Sequence, residues 1–263
     1  MKTWISPGVT ATTLILVMAA CMNTPSPLET GFLNRTVADG DSSARYQVYV
    51  PTDYSSDREW PVILFLHGSG ERGSDGLKQT DVGLGRAIRL HPERWPAIVV
   101  FPQAPDQTLW NEKNERLALR ALNQTLDEYS TDRQRILLTG LSMGGYGSLY
   151  LASKYPDLFA AVAAVCPSVG EFLGYPLLFG SNLEEATQGV ASALKDVPLW
   201  LFHGDEDRVL PASVSRNLAS ALEARSGRFT YTEFENTGHN SWDQAYADSD
   251  FIDWFFSQST PSR

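Results

Sequence analysis

The sequence predicts a single α/β domain: a mostly parallel, doubly wound sheet flanked by helices, with no large cap domain. Short apolar runs typical of buried strands alternate along the chain with helical patterns, which favours parallel strands joined by crossover helices. The 263 residues are 43% hydrophobic and 11% aromatic, a composition suited to a packed core, and no segment of the chain is repeated. A single core is the economical interpretation for a chain of this length.

The first residues have the character of an export signal. Lys2 precedes an apolar stretch at residues 14–20 that is too short to span a membrane. Two alanines followed by Cys21 resemble a bacterial lipobox, in which the cysteine is lipidated. We therefore expect a signal peptide over residues 1–21, an anchored periplasmic or cell-envelope lipoprotein, and no transmembrane helix in the mature chain. Ordinary signal cleavage is the alternative.

The order of the strands can be followed along the rest of the chain. Residues 22–40 are rich in Pro, Ser, Thr and Asn and predict a flexible tether, so that the folded domain would span residues 41–263. Alternating apolar residues begin the sheet at residues 44–50. Six further strands are predicted, at residues 61–67, 97–102, 135–140, 160–166, 198–203 and 229–234.

Helical patterns fill the connections between these strands. Residues 115–130 and 212–225 carry apolar side chains at helical spacing, and residues 251–256 predict a helix that covers the sheet. The connection after residues 160–166 has room for a short flap but not for a cap domain. Cys166, at the end of an apolar run, is interpreted as a buried core residue, and no disulfide is expected.

A G-x-S-x-G motif at residues 140–144 makes Ser142 a candidate nucleophile. The motif lies between a predicted strand and a predicted helix, which is the context that this chemistry requires. The serine must sit on a sharp turn with its oxygen exposed, and the flanking glycines let neighbouring backbone pass without a clash. A helix start rich in small residues, selected only for packing, is the alternative.

A serine hydroxyl is a weak nucleophile at neutral pH and needs a histidine base that is oriented by an acid. His239 is the only histidine downstream of a plausible acid, and a solvated loop histidine is the alternative. Asp207 is preferred to Asp205 as the acid because it lies nearer the tip of the loop after residues 198–203. His203 and these two acids could instead bind a metal, but the sequence supplies no convincing further ligands, so neither a metal nor a cofactor is expected.

Acyl transfer also needs N–H donors for the oxyanion. The apolar strand at residues 61–67 runs into a glycine-containing loop, and we expect the N–H groups of Ser69 and Met143 to form the oxyanion hole, with Gly70 as the substitute for Ser69. His67 is expected to brace this loop. The predicted substrate pocket draws on three aromatic residues that are equally plausible as core residues: Trp110, Phe172 and Trp242.

The chain resembles a known family through four blocks of sequence: FLHGSGERGSDG, GLSMGGYGSLYLASKYPDLFAA, HGDEDRVLP and TGHNSW. These blocks resemble the motifs of α/β-hydrolase esterases, in particular bacterial secreted carboxylesterases with prolyl-oligopeptidase-like and feruloyl-esterase-like catalytic domains, often labelled predicted peptidases. The resemblance spans residues 46–254. It implies an α/β-hydrolase fold with a nucleophile at Ser142, an acid at Asp207, a base at His239 and an oxyanion loop after His67.

Charge and motifs together narrow the function classes. A formal charge of −10 disfavours nucleic acid and anionic membrane surfaces as partners. We expect a serine carboxylesterase that acts through an acyl-enzyme on short-acyl or carbohydrate-linked esters, whether small molecules or polysaccharide-linked. The alternatives are a serine peptidase of small peptides and a non-catalytic surface lipoprotein that binds a glycan or a protein through the same fold.

Overall fold

The computed structural model describes Met1 and residues 29–40 and 42–261. The predicted signal peptide, the predicted lipidation site Cys21 and residues 22–28 of the predicted tether lie outside these residues, apart from Met1 itself. Within the described ranges, no helix combines the length and the apolar character needed to cross a bilayer.

One eight-stranded sheet forms the centre of the described domain. In chain order, its strands are β1 (Gly31–Asp39), β2 (Ser42–Val50), β3 (Trp60–Leu66), β4 (Ile98–Pro102), β5 (Thr131–Leu141), β6 (Ala161–Val165), β7 (Leu199–Gly204) and β8 (Phe229–Phe234). Their spatial order is β1-β2-β4-β3-β5-β6-β7-β8. The first two strands pair antiparallel, and β2 also pairs antiparallel with β4. All remaining pairs are parallel.

Helices cover both faces of this sheet, which confirms the predicted doubly wound architecture. They are α1 (Leu84–Leu90), α2 (Glu112–Glu128), α3 (Met143–Lys154), α4 (Leu183–Leu194), α5 (Ser213–Glu223), α6 (Trp242–Ala245) and α7 (Ser249–Ser257). One core layer contains side chains of α2, α3, α4 and α5, and the other contains side chains of α1 and α7. Strand β3 shows the alternation between them: Leu64 belongs to the first layer, and Ile63 and Phe65 belong to the second.

Strand β1 corrects the predicted tether. Residues 31–39 are not a flexible segment, because they pair with β2 along their whole length and bury Val37. Polar residues interrupt the apolar alternation of this strand, so its own sequence indicates a strand only weakly. Antiparallel pairing with a strongly patterned neighbour stabilises it instead.

Only a short segment lies between β6 and α4, and it contains one turn of 3-10 helix at Phe172–Gly174. This agrees with the predicted absence of a large cap domain. The loops after β3, β5, β7 and β8 lie at the carboxyl edge of the sheet. Ligands bind at this edge in open α/β sheets.

Candidate active site

Ser142 lies on a sharp turn between β5 and α3. Its φ of 53° and ψ of −114° belong to the left-handed side of backbone space, which is costly for a residue other than glycine. Close passage of neighbouring backbone explains the motif glycines: a Cβ on Gly144 would lie 1.8 Å from the carbonyl oxygen of Leu66. The turn is held by a hydrogen bond from the Ser142 N–H to the Val165 carbonyl, at 2.9 Å.

His239 connects this serine to an acid. Its Nε2 lies 2.9 Å from Ser142 Oγ, and its Nδ1 lies 2.6 Å from Asp207 Oδ2. A carboxylate only accepts hydrogen bonds, so Nδ1 carries the proton and Nε2 is free to accept the serine proton. The structure therefore brings together the three side chains that the sequence analysis selected, although they are far apart in the chain.

The carboxylate of Asp207 is buried and fully hydrogen bonded. Its Oδ1 accepts the N–H groups of Val209 and Leu210 at 2.8 and 3.0 Å. Burial raises the pKa of Asp207, but hydrogen bonds from His203, His239 and these two backbone N–H groups outweigh it and hold the pKa well below its usual range. The acid is therefore ionised across the whole range of neutral pH.

His203 contacts the carboxylate of Asp207, and the sequence did not predict this contact. Its Nε2 lies 2.8 Å from the Leu210 carbonyl and 3.2 Å from Asp207 Oδ2, so this nitrogen carries a proton. Its Nδ1 lies 2.8 Å from Ser215 Oγ and accepts the hydroxyl proton. Both ring nitrogens of His203 thus have partners in the folded chain. The sequence signal that could have indicated this role is a histidine near the end of a buried strand, four residues before the acid.

Asp205, the rejected candidate for the acid, has a different environment. It is exposed, and its Oδ1 accepts the N–H of Thr237 at 3.1 Å. This bond ties the acid loop to the loop that carries His239. The arrangement does not bring Asp205 to the histidine.

The predicted oxyanion donors lie at the starts of two helical turns. Ser69 begins the 3-10 turn Ser69–Glu71, and Met143 is the first residue of α3. Neither N–H donates a hydrogen bond within the described part of the chain, as expected for the first turn of a helix. Arg72 steadies the loop by donating from Nε to the Ser69 carbonyl at 2.9 Å and from Nη1 to the Thr108 carbonyl at 3.2 Å.

His67 braces this loop, as predicted. Its Nδ1 donates to the Gly68 carbonyl at 2.6 Å, and its Nε2 accepts the Ala104 N–H at 2.9 Å. Burial lowers the pKa of His67 to about 4. A neutral imidazole with both nitrogens bonded is a structural element rather than a proton carrier.

The three predicted pocket aromatics occupy different environments. Trp110 is completely buried and donates its Nε1–H to the His67 carbonyl at 3.0 Å, so it supports the loop and does not line an open pocket. The prediction was wrong for Trp110 because a tryptophan in a loop gives no sequence signal for burial. Trp242 is half-buried with its ring 5.5 Å from the ring of His239, and Phe172 packs against the core layer of α2 to α5. A substrate contact by either side chain stays a prediction.

The sequence is similar to those of known esterases. Feruloyl esterase B of Thermothelomyces thermophilus is 27% identical over 136 residues, which are 47% of this chain and 45% of that protein. Acetylxylan esterase A of Emericella nidulans is 24% identical over 135 residues, 47% of this chain and 42% of that protein. The chain thus spans less than half the length of the curated relatives it matches.

A solved structure described as a thermostable esterase is 31% identical, with a TM-score of 0.71, and the match covers 87% of this chain and 63% of that one. Residues 40–254 match the family model described as a putative esterase. That match includes every residue of the candidate site, and the chain belongs to this esterase family.

Proposed function

We propose that this protein is a serine carboxylesterase with Ser142 as nucleophile, His239 as base and Asp207 as the orienting acid. The observation that carries the proposal is the continuous hydrogen-bonded chain from Asp207 through His239 to Ser142 on a strained turn. Membership of the esterase family supports the same reaction class.

In the proposed mechanism, Ser142 Oγ attacks the ester carbonyl while its proton passes to His239 Nε2. The buried carboxylate of Asp207 stabilises the resulting imidazolium and keeps the ring in the required tautomer. The N–H groups of Ser69 and Met143 stabilise the oxyanion. The imidazolium then protonates the departing alcohol, and a water molecule, activated by the same histidine, hydrolyses the acyl-enzyme.

Short-acyl or carbohydrate-linked esters are the proposed substrates. The segment between β6 and α4 is too short to form a cap domain over the carboxyl edge of the sheet, which suits esters attached to bulky, soluble alcohols. The names of the two curated relatives, a feruloyl esterase and an acetylxylan esterase, support this class.

The leader supports export and a lipid anchor at Cys21. Mass spectrometry of the mature N-terminal peptide from the membrane fraction should find a lipid on Cys21. An unmodified residue at or after Cys21 would reject the anchor and leave ordinary signal cleavage.

The test of the proposed activity is hydrolysis of p-nitrophenyl acetate by wild type, Ser142→Ala and Ser148→Ala. Loss of the nucleophile should lower turnover by roughly four to six orders of magnitude. Ser148 is a matched control, because its buried hydroxyl on the same helix donates to the Gly144 carbonyl and to no other described residue. Its loss should change turnover by no more than about threefold, since a neutral hydrogen bond contributes little net energy.

Unchanged hydrolysis by Ser142→Ala would overturn the proposal. Wild-type enzyme should hydrolyse unactivated alkyl esters and leave peptide amides of the same acyl group uncleaved. Comparable turnover of the peptide amides would favour a peptidase.

A further inference from the structure

Cys166 lies directly behind the proposed triad. It follows β6 immediately, is completely buried, and has a left-handed φ of 38°. Its N–H donates to the Phe202 carbonyl at 2.8 Å. This bond holds Cys166 against β7, the strand that precedes the Asp207 loop. The proposed mechanism gives this thiol no role.

Three metal-ligating atoms converge at this place. The Cys166 Sγ, a ring nitrogen of His239 and a carboxylate oxygen of Asp207 all lie within 4.8 Å of one another. The thiol is free rather than part of a disulfide. Ser241 is also completely buried, and its Oγ makes no hydrogen bond of normal geometry with any described residue.

This set of donors matches the preference of zinc. Thiolate sulfur, imidazole nitrogen and carboxylate oxygen are the ligands of tetrahedral Zn²⁺, at about 2.3, 2.0 and 2.1 Å. Tetrahedral geometry with these bond lengths puts ligand atoms about 3.3 to 3.7 Å apart. The Cys166 sulfur, within 4.8 Å of the other two ligand atoms, would move inward by up to about 1 Å. Nδ1 of His239 and Oδ2 of Asp207 are 2.6 Å apart, so they would separate by about 1 Å as the ion replaces the hydrogen bond between them.

We propose that a thiophilic divalent cation such as Zn²⁺ binds between Cys166, Asp207 and His239 and inhibits the enzyme. The inhibition, though not the binding, rests on the proposed function. The cation binds the thiolate of Cys166, and the thiol proton leaves to solvent. The cation also binds Nδ1 of the His239 imidazole. The Nδ1 proton moves to Nε2, so that Nε2 no longer accepts the proton of Ser142.

The environment explains why the cation is required to ionise the cysteine. Burial raises the pKa of the Cys166 thiol, with a smaller contribution from the charge of Asp207, so the unliganded thiol is neutral. The His239 side chain is 20% exposed and gives solvent a route to the cluster. Mg²⁺ and Ca²⁺ prefer sets of oxygen ligands and should not bind here.

The test begins with chelator-treated protein assayed on p-nitrophenyl acetate during titration with ZnCl₂ and, in parallel, MgCl₂. Wild type should lose activity with Zn²⁺ but not with Mg²⁺, and excess chelator should restore it. Cys166→Ala and the near-isosteric Cys166→Ser should keep metal-free turnover within about threefold of wild type, because neither contacts the reacting atoms. Both should need at least about tenfold more Zn²⁺ for half-inhibition.

Binding of Co²⁺ gives a readout that does not depend on activity. Wild type and Ser142→Ala should both show the near-ultraviolet charge-transfer absorption of a cobalt thiolate, and Cys166→Ser should not. Absorption in a protein without esterase activity would support the metal site and reject the proposed function. Active protein that shows neither the absorption nor a cysteine-dependent inhibition would overturn the metal site.

Discussion

Two aspartates on one loop, only two positions apart, have very different surroundings. Asp207 is buried, receives two backbone N–H groups and bonds to His239, whereas Asp205 is exposed and bonds to the Thr237 N–H. An exposed carboxylate is solvated and contributes little to the orientation of a neighbour. The structure therefore attributes the orientation of the histidine to Asp207 alone.

Replacing each aspartate by asparagine separates the two roles. Asp207→Asn should lower kcat for p-nitrophenyl acetate about 10⁴-fold, because an amide also stabilises the wrong imidazole tautomer. Asp205→Asn should change kcat by less than about threefold, since an amide oxygen still accepts the Thr237 N–H. A larger loss from Asp205→Asn than from Asp207→Asn would contradict the assignment of the acid.

At the scale of elements, the serine turn depends on the close packing of β3, β5 and α3. Gly144 lies in the first turn of α3, next to the end of β3. A methyl group at this position would clash with the Leu66 carbonyl. Backbone atoms cannot move aside as a flexible side chain can. The position is therefore restricted to glycine by packing, independently of any role in chemistry.

Gly144→Ala should destabilise the fold by about 3 kcal/mol or more, because overpacking against backbone forces the helix away from the sheet. Gly238→Ala is the matched control: its Cβ would have no atom within 4 Å. The control should stay within about 0.5 kcal/mol of wild type. Urea denaturation of both variants gives the comparison, and equal stabilities would contradict this account of the turn.

Elements with strong local patterns were predictable, and those that depend on tertiary contacts were not. Seven strands and the helices α2, α5 and α7 follow from their apolar spacing. Strand β1 was missed because its stability comes from its pairing with β2. Helix α4 had a detectable signal: Asn182 caps it by accepting the Glu185 N–H, and Glu184 and Glu185 lie in its first turn.

The same distinction applies to the site. Ser142, Asp207 and His239 were selected by motif, loop position and chain order, all of which are local or topological. The contact of His203 with Asp207 and the position of Cys166 behind the triad depend on how adjacent strands end in space. Apolar patterning could only classify Cys166 as a core residue.

At the scale of the whole molecule, the buried histidine under the oxyanion loop couples stability to pH. The pKa of His67 falls from 6.5 to about 4 because the folded protein buries the ring. Between these values the unfolded chain binds a proton that the folded protein does not. His67 therefore leaves the free energy of unfolding undiminished above pH 6.5 and lowers it progressively as the pH falls from 6.5 towards 4.

His67 should reduce the free energy of unfolding by about 2 kcal/mol between pH 7 and pH 5. His67→Gln keeps a donor and an acceptor but cannot titrate, so its stability should depend less on pH by about that amount. Urea denaturation of both proteins at the two pH values measures the difference. The same pH dependence in both would show that His67 is not the titrating group.

Activation of Ser142 by His239 can be measured by covalent labelling of the wild-type protein with a fluorophosphonate, followed by peptide mass spectrometry. Such probes react with a serine only when a neighbouring base activates it. We expect one adduct per chain, on the peptide that contains Ser142, and none in His239→Ala. An unlabelled wild-type protein, or an adduct on any other serine, would show that Ser142 is not the activated nucleophile.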